Sequence, residues 1–444
     1  MHLGIDIGTT KVAAVIADRQ GRLQAVASRA HGADLPAPAG RAEQDAARLL
    51  EAAWAGVREL PAELRHRVRS VGLTGQMHGV VLLDGAGDAV SPLVTWQDGR
   101  CLEKGFLDDL ASRCGYAPSS GFGGATLAWL VRHGAMPARA VSAGTIHDVA
   151  AARLCGHAKP VTDPTDAASW GLFDLRTLAW DAEAVAAAGI PRALLPEVRP
   201  GGSRAGDLAP EMADSLGLPA GIPVAVAIGD NQASLLATLR EPQAEIALTV
   251  GTGGQVSAVL APGAAIDWEE YAPTYEYRPY PGGRYAVVAA SLCGGAAWAW
   301  LADAAESWTR DLGLEPLPRE RVFERLNELG LAASGEVTVR PHFLGERHDP
   351  RLRGSIEGLD LAGLGLGRLA RGLARGILVN LREMLPPWAL KGRARIVGSG
   401  NALRRNPLLQ RMAEDVFGLP LQLTEGREEA ALGAAILSAE SPQM

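Results

Sequence analysis

The sequence lacks the features that mark zinc-bound, disulfide-bonded and membrane-spanning proteins. Its four cysteines are scattered, with no CxxC pair and no histidine cluster at metal spacing, so neither a zinc site nor a disulfide framework is indicated. No apolar run reaches the roughly 18 residues of a membrane span. The strand pattern that begins at Leu3 leaves no room for a signal peptide. We therefore expect a cytoplasmic protein without a membrane partner.

An excess of basic residues is also absent. The chain has 43 Lys and Arg against 50 Asp and Glu, for a net charge of -7, which argues against a nucleic-acid partner bound by a broad basic face. The hydrophobic fraction of 47% and charged fraction of 21% are typical of a globular protein. A length of 444 residues suits two domains of ordinary size.

One phrase occurs twice in the chain. Residues 5–16 read "IDIGTTKVAAVI" and residues 248–260 read "LTVGTGGQVSAVL". Runs rich in Val, Ile and Thr around a glycine turn predict a β-hairpin, and such a turn exposes backbone N–H groups that suit phosphate oxygens. Either copy alone also fits an ordinary hairpin at a sheet edge. Two copies suggest duplicated domains that each supply a phosphate-binding loop.

Strand and helix patterns alternate along the first half of the chain, which predicts an α/β fold with a parallel component. Residues 68–84 predict a strand that breaks at Gly72 to Gly79 and then resumes. The segment 43–60 has helical spacing of its apolar residues, which are Ala47, Leu50, Ala53, Trp54 and Val57. We place the boundary near residue 242, with an N-terminal domain of 1–242 and a C-terminal domain of 243–444.

The clearest local signals surround one helix of the second half. Asn406 is predicted as its N-cap, Pro407 lies at its first turn and Gly418 at its end. These three residues agree with the standard pattern of helix termini. The glycine-containing loop before this helix is therefore predicted to face a ligand or solvent.

Two aspartates lie where strands end. Open α/β sheets bind ligands at the carboxyl ends of their strands. Asp230 fits a catalytic role there, and it fits equally well as the N-cap of the helix that follows. Asp6 lies inside the first hairpin, where burial of a carboxylate without partners is costly. That cost favours a functional role for Asp6.

The segments "TGQMHG" (74–79) and "TWQDGR" (95–100) place polar groups beside a large side chain. Sugars suit such surroundings, because an aromatic or thioether group covers the apolar face while polar groups bind the hydroxyls. Simpler interpretations remain open for both segments. His78 fits a hydrogen-bonded histidine near the core, and Asp98-Gly99 fits a turn.

Taken together, these segments resemble the FGGY family of carbohydrate kinases in their order along residues 3–438. The segments that carry the resemblance are "GIDIGTTKVAAVIAD", "GLTGQMHGVVLLD", "VTWQDGR", "AIGDNQASLLATL", "LTVGTGGQV", "FLGERHDPRLRG" and "VGSGN…NPLLQRMAEDVFGLPL…EEAALGAA". Each segment is weak alone, but the ordered set is specific.

The resemblance implies two ribonuclease-H-like domains of the actin-like ATPase type, with a nucleotide and sugar cleft between them. It implies that Asp230 is the catalytic base and that Asp6 and Asp230 lie near Mg²⁺. The residues expected to bind sugar are Gln76, Met77, His78, Trp96, Asp98 and Asn231. Those expected to bind ATP are Gly8, Thr9, Thr10, Lys11, Gly251, Thr252, Gly253, Gly398, Gly400, Asn401 and Asn406.

The resemblance also implies a substrate. We expect phosphorylation of a ketose at its terminal hydroxyl, with sedoheptulose ahead of D-xylulose, because Gln97 stands where xylulose-specific members tend to carry Asn. An arginine that those members often place before the mid-domain helix is absent from "CGYAPSSGFGGATLAWL" (114–130). Gly253 departs from the serine usual in the family. A sugar-sensing protein without catalysis is the alternative of another class, and intact Asp6 and Asp230 disfavour it. A homodimer is compatible with these features.

Overall fold

The computed structural model describes residues 1–269, 272–361, 364–424, 426 and 428–440. Its strands are β1 (His2–Ile7), β2 (Lys11–Ala17), β3 (Leu23–Ala30), β4 (Glu43–Gln44), β5 (Val71–Gly75), β6 (Val81–Leu83), β7 (Leu93–Val94), β8 (Ser142–Gly144), β9 (Val161–Thr162), β10 (Phe173–Asp174), β11 (Ala179–Trp180), β12 (Glu197–Val198), β13 (Arg204–Asp207), β14 (Pro223–Ala225), β15 (Ile228–Gly229), β16 (Glu245–Val250), β17 (Gly254–Val259), β18 (Glu276–Tyr280), β19 (Arg284–Ser291), β20 (Thr338–Arg340), β21 (Ser355–Glu357), β22 (Arg395–Ser399) and β23 (Leu421–Leu423).

The helices of the described ranges alternate with these strands. They are α1 (Ala46–Glu59), α2 (Ala62–Arg65), α3 (Phe106–Cys114), α4 (Gly123–Arg132), α5 (Ile146–Leu154), α6 (Pro164–Ser169), α7 (Ala182–Ala187), α8 (Pro210–Leu216), α9 (Asp230–Thr238), α10 (Gly295–Asp311), α11 (Arg319–Ala332), α12 (Leu366–Met384), α13 (Asn401–Arg404), α14 (Pro407–Phe417) and α15 (Glu429–Glu440). Among them, none combines the length and the apolar character that crossing a bilayer requires.

The chain forms two compact units. The first contains residues 1–238, 279–283 and the described residues from Gly426 onward, and the second contains 239–278 and 284–424. This division differs from two consecutive domains cut at residue 242, because α15 packs within the first unit. The sequence pattern shows where the second hairpin begins, but it does not show to which unit a helix near the end of the chain returns.

The sheets of the two units repeat one arrangement. The first has the order β13-β14-β5-β1-β2-β3, with β15 also beside β5, and the second has the order β18-β19-β17-β16-β22-β23. In each, the first strand of the Gly-Thr hairpin pairs antiparallel with the next strand and parallel with the strand on its other side. The repeat of sequence is therefore a repeat of structure. It confirms the prediction of two ribonuclease-H-like units with an α/β fold.

Each unit has its own buried apolar core. The core of the second unit joins strands β16, β17 and β19 to helices α10, α11, α12 and α14. The first unit has one core between its sheet and the helices α1, α5 and α8. A second core lies within residues 80–195. Apolar contacts with helices thus hold the sheet of each unit in place.

Helix α15 lies directly on the first sheet through small residues. A Cβ on Gly4 would lie 1.9 Å from the carbonyl oxygen of Ala431, and a Cβ on Gly72 would lie 2.0 Å from that of Ala434. Real side chains do not approach a backbone oxygen so closely, so only glycine fits at these two positions of β1 and β5. The close approach explains why this helix belongs to the first unit.

The predicted helix termini of α14 are confirmed. The Asn406 side chain accepts a hydrogen bond from the Leu409 N–H, and Gly418 adopts a left-handed φ of 67°. The helix predicted within residues 43–60 is observed as α1. One detail of the first half was wrong. The predicted break from Gly72 starts later, because β5 remains paired with β1 as far as Gly75.

Candidate active site

Three parallel strands of the first unit end side by side. In the sheet, Asp6 of β1 pairs with Thr74 of β5, and Thr74 pairs with Ile228 of β15. The next positions after these strands include Gln76 and Asp230. Since the carboxyl ends of parallel strands meet at one edge of a sheet, the predicted sugar-binding glutamine and the predicted base follow adjacent strands at the edge that also carries Asp6.

Asp6 is surrounded by more negative than positive charge. Burial, followed by the charges of Asp230 and Glu428, raises the pKa of Asp6 to about 8, and Lys11 acts in the opposite direction. The Oδ1 atom of Asp6 is shielded from solvent and has no hydrogen-bond partner among the described residues. An orphaned carboxylate oxygen close to a second carboxylate is a suitable environment for a divalent cation with oxygen ligands.

The first Gly-Thr turn joins β1 to β2. The Gly8 N–H donates to the Lys11 carbonyl oxygen at 3.0 Å, which closes the turn. Thr10 is exposed, whereas Gly8 and Thr9 are partly buried. The Lys11 ammonium lies 2.6 Å from a carboxylate oxygen of Glu428. The turn is thus well defined by the protein itself, and its role in binding phosphate stays a prediction.

Gln76 and Met77 lie directly beyond β5. The Gln76 Nε2 donates to the Oε1 of Gln44 at 2.9 Å and to the Gly8 carbonyl oxygen at 3.4 Å. Its own Oε1 is buried without a partner in the described part of the chain. The Met77 thioether packs against Gly229, where a Cβ would lie 2.6 Å from the sulfur. Together they present a polar acceptor beside an apolar group, and their contact with sugar stays a prediction.

His78 is held in an unusual conformation. Its φ of 73° lies in the left-handed region, which is costly for a residue with a side chain. The Ser169 carbonyl oxygen lies 2.7 Å from Nδ1, and because a carbonyl only accepts, Nδ1 carries the proton. The ring stacks on Phe122 with centroids 4.7 Å apart. The histidine is therefore oriented by the protein, and sugar binding by His78 stays a prediction.

The segment of residues 95–100 contains two predicted sugar-binding residues in very different environments. Trp96 is 43% exposed, and its Nε1 donates to the Thr9 Oγ1 at 3.0 Å. Asp98 is buried, and its carboxylate accepts from the Ala42 N–H and from the backbone and guanidinium of Arg100. The Arg100 ion pair holds the pKa of Asp98 below its ordinary value, against the effect of burial. These contacts favour a structural role for Asp98.

Asn231 follows the predicted base in the first turn of α9. Its Oδ1 is buried and makes no hydrogen bond within the described ranges. A buried amide oxygen without a donor costs roughly 1 to 3 kcal/mol, which a ligand hydroxyl would remove. This observation is consistent with the predicted contact between Asn231 and sugar.

The sequence reasoning missed a buried polar cluster behind β5. The His147 Nε2 lies 2.8 Å from the Asp166 Oδ2, and both side chains are fully buried. A Cβ on Gly75 would lie 2.8 Å from the His147 Nδ1, so the cluster touches the strand that leads to Gln76. Burial and the charge of Asp230 raise the pKa of Asp166 well above its ordinary value. The sequence signalled only the starts of the two helices that carry these residues, by the capping box of Thr145 and Asp148 and by the N-cap Asp163 before Pro164.

Asp163 of this region gives a testable dependence of stability on pH. Burial, followed by the charge of Asp166, raises the pKa of Asp163 to about 8, whereas an unfolded aspartate titrates near 3.9. The folded state therefore binds this proton more tightly. Its contribution to stability is fully present below about pH 4 and is lost as the pH rises through about 8, by at most about 1.4 kcal/mol per pH unit.

We expect Asp163→Asn to flatten the fall of the melting temperature between pH 5 and 8, because the uncharged amide does not titrate and can still cap α6. Thermal unfolding at several pH values measures the effect. Asp108→Asn, at an exposed position of α3, is the control and should leave the slope unchanged. An unchanged slope in Asp163→Asn would contradict the raised pKa.

The second Gly-Thr turn, between β16 and β17, lies at the start of α10. The N–H of Gly295 donates to the Gly251 carbonyl oxygen at 2.7 Å, and the Ala296 N–H donates to that of Thr252 at 2.9 Å. A Cβ on Gly253 would lie 2.7 Å from the Ser291 carbonyl oxygen. This contact gives a physical reason for glycine where the family pattern has serine.

The residues predicted to bind adenosine lie around β22 in the second unit. Gly400 has a φ of 89°, and its Cβ would lie 2.4 Å from the Val250 carbonyl oxygen. Gly398 is packed against leucine side chains, and Asn401 begins α13. The Asn406 Oδ1 caps α14, while its Nδ2 is buried without a partner among the described residues. The structure explains the glycines by packing, and their contact with ATP stays a prediction.

Comparison with known proteins identifies the class of protein. Residues 1–237 match the N-terminal domain and residues 247–441 the C-terminal domain of the FGGY family of carbohydrate kinases. The sedoheptulokinase of Homo sapiens is 35% identical over 98% of this chain and 96% of the relative. The glycerol kinase of Thermus brockianus is 32% identical over 98% and 88%. The solved xylulose kinase of Rhodospirillum rubrum superposes with a TM-score of 0.83 and 27% identity, covering 99% of this chain and 89% of that one.

The chain therefore belongs to the FGGY family of carbohydrate kinases. It is an enzyme that phosphorylates a small-molecule sugar, and the family implies ATP as its other substrate. The resemblance to this family that the sequence motifs indicated is confirmed.

Proposed function

We propose that this kinase transfers the γ-phosphoryl group of ATP to the terminal hydroxyl of a ketose, with sedoheptulose as the preferred acceptor. The observation that carries the proposal is the placement of Asp6, Gln76 and Asp230 at adjacent ends of parallel strands. The identity of 35% to human sedoheptulokinase supports the choice of sugar. D-xylulose is the alternative, supported by the likeness to the Rhodospirillum rubrum xylulose kinase.

Residues of the first unit accept the proton of the sugar hydroxyl and bind the sugar. Asp230 takes the proton of the acceptor hydroxyl as its oxygen bonds to the γ-phosphorus and ADP leaves. The free Oε1 of Gln76 accepts a hydrogen bond from a sugar hydroxyl, and Met77 and Trp96 contact the apolar side of the sugar. A general base raises the rate of the chemical step by a factor of roughly 10² to 10⁴.

The phosphates are bound by backbone groups and by charge. The N–H groups of Gly8 and Gly251 close their own turns, so the proposed donors to phosphate oxygens are the N–H groups that follow them, at Thr9 and Thr252. Mg²⁺ would be held by Asp6 and Asp230, where it would supply the positive charge that these carboxylates and the phosphates require. The unpartnered Oδ1 of Asp6 fits this role. Thr10, Lys11 and the residues around Gly400 complete the proposed nucleotide contacts.

A cytoplasmic location and a homodimer stay predictions. All four cysteines are free thiols, and this agrees with a reducing compartment.

We expect the acceptor ranking to show in kcat/KM. Sedoheptulose should be used at least about tenfold better than D-xylulose, ribulose or glycerol, which corresponds to about 1.4 kcal/mol of transition-state binding. A coupled assay of ADP release with each sugar measures this. Better use of xylulose would reverse the ranking. A protein that binds ketose without releasing ADP would instead be a sugar sensor.

A further inference from the structure

Gln44 of β4 lies between the proposed sugar site and the first phosphate loop. Its side-chain Nε2 donates to the Thr9 carbonyl oxygen and to the Oδ1 of Asp34, each at 2.8 Å. Its Oε1 accepts from the Nε2 of Gln76 at 2.9 Å. The residue is 2% exposed, so all of these bonds are made away from bulk water. One buried amide therefore connects Gln76 to Thr9.

The directions of these hydrogen bonds follow from the groups involved. The carbonyl oxygens of Gly8 and Thr9 can only accept, so the amide nitrogens of Gln76 and Gln44 must face them. Gln44 then presents its oxygen to Gln76. The remaining atom is the Oε1 of Gln76, a buried acceptor without a donor in the described part of the chain. Gln44 thus fixes which atom of Gln76 is available to a sugar hydroxyl.

Thr9 is held from outside the hairpin by further groups. The His31 Nε2 lies 2.8 Å from the Thr9 carbonyl oxygen. The Ala33 N–H donates to the His31 Nδ1 at 2.9 Å, so the ring proton lies on Nε2 and points at Thr9. The Trp96 Nε1 donates to the Thr9 hydroxyl at 3.0 Å. Two predicted sugar-contacting side chains, Trp96 directly and Gln76 through Gln44, are therefore bonded to one residue of the phosphate loop.

The short segment that carries Gln44 is itself anchored by a buried ion pair. The Asp98 Oδ2 accepts from the Ala42 N–H at 2.8 Å, and the Arg100 Nη2 lies 2.5 Å from the Glu43 Oε1. Arg100 and Asp98 are both almost wholly buried. Through these contacts Asp98 sets the position of the strand that carries Gln44, and this role requires no contact between Asp98 and sugar.

We propose that Gln44 is a positioning residue that couples occupancy of the sugar site to the conformation of the first phosphate loop. The inference rests on the proposed function. A sugar hydroxyl bound by Gln76 Oε1 strengthens the chain of hydrogen bonds through Gln44 to Thr9, because successive bonds polarise one another. The phosphate loop is then held in its binding geometry when an acceptor is present.

Gln44→Met tests this coupling because it keeps the length and the burial of the side chain but removes all three hydrogen bonds. We expect the dissociation constant of the ketose to rise about tenfold, because the hydrogen bond that orients Gln76 is lost. We expect kcat to fall about tenfold, because the hydrogen bond to the Thr9 carbonyl oxygen is lost. Calorimetric titration of the ketose and initial rates at saturating ATP measure the two effects separately. Asp34→Ala is the matched control, since it removes only the third partner, and it should stay within about twofold of wild type.

A double mutant separates positioning from a general loss of stability. If Gln44 acts on sugar through Gln76, then Gln44→Met should weaken ketose binding no further in a Gln76→Met background. The proposal is overturned if the double mutant weakens ketose binding by the product of the two single-mutant factors. If Gln44→Met does not fold, Gln44→Asn provides the same double-mutant test. It keeps a buried amide, but its side chain is too short to reach both Gln76 and Thr9.

The failures of the two proposals are distinguishable. If wild type turns over ketose while Gln44→Met matches Asp34→Ala, the coupling is wrong and the proposed function stands. If wild type neither binds nor phosphorylates any ketose, both are wrong.

Discussion

Asp230→Asn is expected to lower kcat by roughly 10² to 10⁴ while the KM values for ketose and ATP and the melting temperature remain nearly unchanged. A general base contributes in the transition state, where it accepts a proton that asparagine cannot accept. Helix α9 begins at Asp230, and asparagine is as good as aspartate at the start of a helix. Measurement of rates and thermal unfolding on one preparation tests all of these expectations.

The control for this substitution is Asp214→Asn, at an exposed position of α8 in the same unit, which should retain full activity. The sequence left two interpretations of Asp230 open, as a base and as a helix start. Near-normal kcat in Asp230→Asn would support the helix-start interpretation and remove the centre of the proposed mechanism.

Gly433→Val is expected to destabilise the first unit by about 3 kcal/mol or more and to lower activity as well. A Cβ on Gly433 of α15 would lie 1.8 Å from the Ala233 carbonyl oxygen of α9. The two helices would have to separate, and α9 carries Asp230 one turn before this contact. Chemical denaturation and kcat/KM measure the two consequences.

Gly85→Ala is the matched control, because no atom lies within 4 Å of a Cβ at that position. We expect its free energy of unfolding to stay within about 0.5 kcal/mol of wild type. Wild-type stability in Gly433→Val would show that α9 and α15 can separate at little cost, despite the 1.8 Å distance from a Cβ on Gly433 to the Ala233 carbonyl oxygen.

Features encoded by neighbouring residues were predictable. The Gly-Thr hairpins and the termini of α14 depend on turn and cap residues a few positions apart, so their spacing alone is informative. Asp6 and Asp230 were also found from the sequence, because residues at strand ends have a known place in α/β sheets. Their roles and those of the other site residues stay predictions.

Features that join distant segments were not predictable. Gln44 and Gln76 are each ordinary glutamines in sequence, and their hydrogen bond exists only because β4 and β5 are brought together. His147 and Asp166 likewise meet across two short helices. Asp98 was expected to bind sugar because its neighbours in sequence are those of a polar site, whereas the Ala42 N–H that it binds belongs to a segment 56 residues away.

The packing of α15 on β1 and β5 sets an order of events during synthesis on the ribosome. The strands that contain Gly4 and Gly72 emerge early, but the carbonyl groups of Ala431 and Ala434 that cover them emerge after most of the chain has been translated. The first unit therefore cannot complete its fold co-translationally ahead of the second. A truncated product that stops near residue 242 would expose the glycine-bearing face of its sheet to chaperones, to proteases and to other nascent chains.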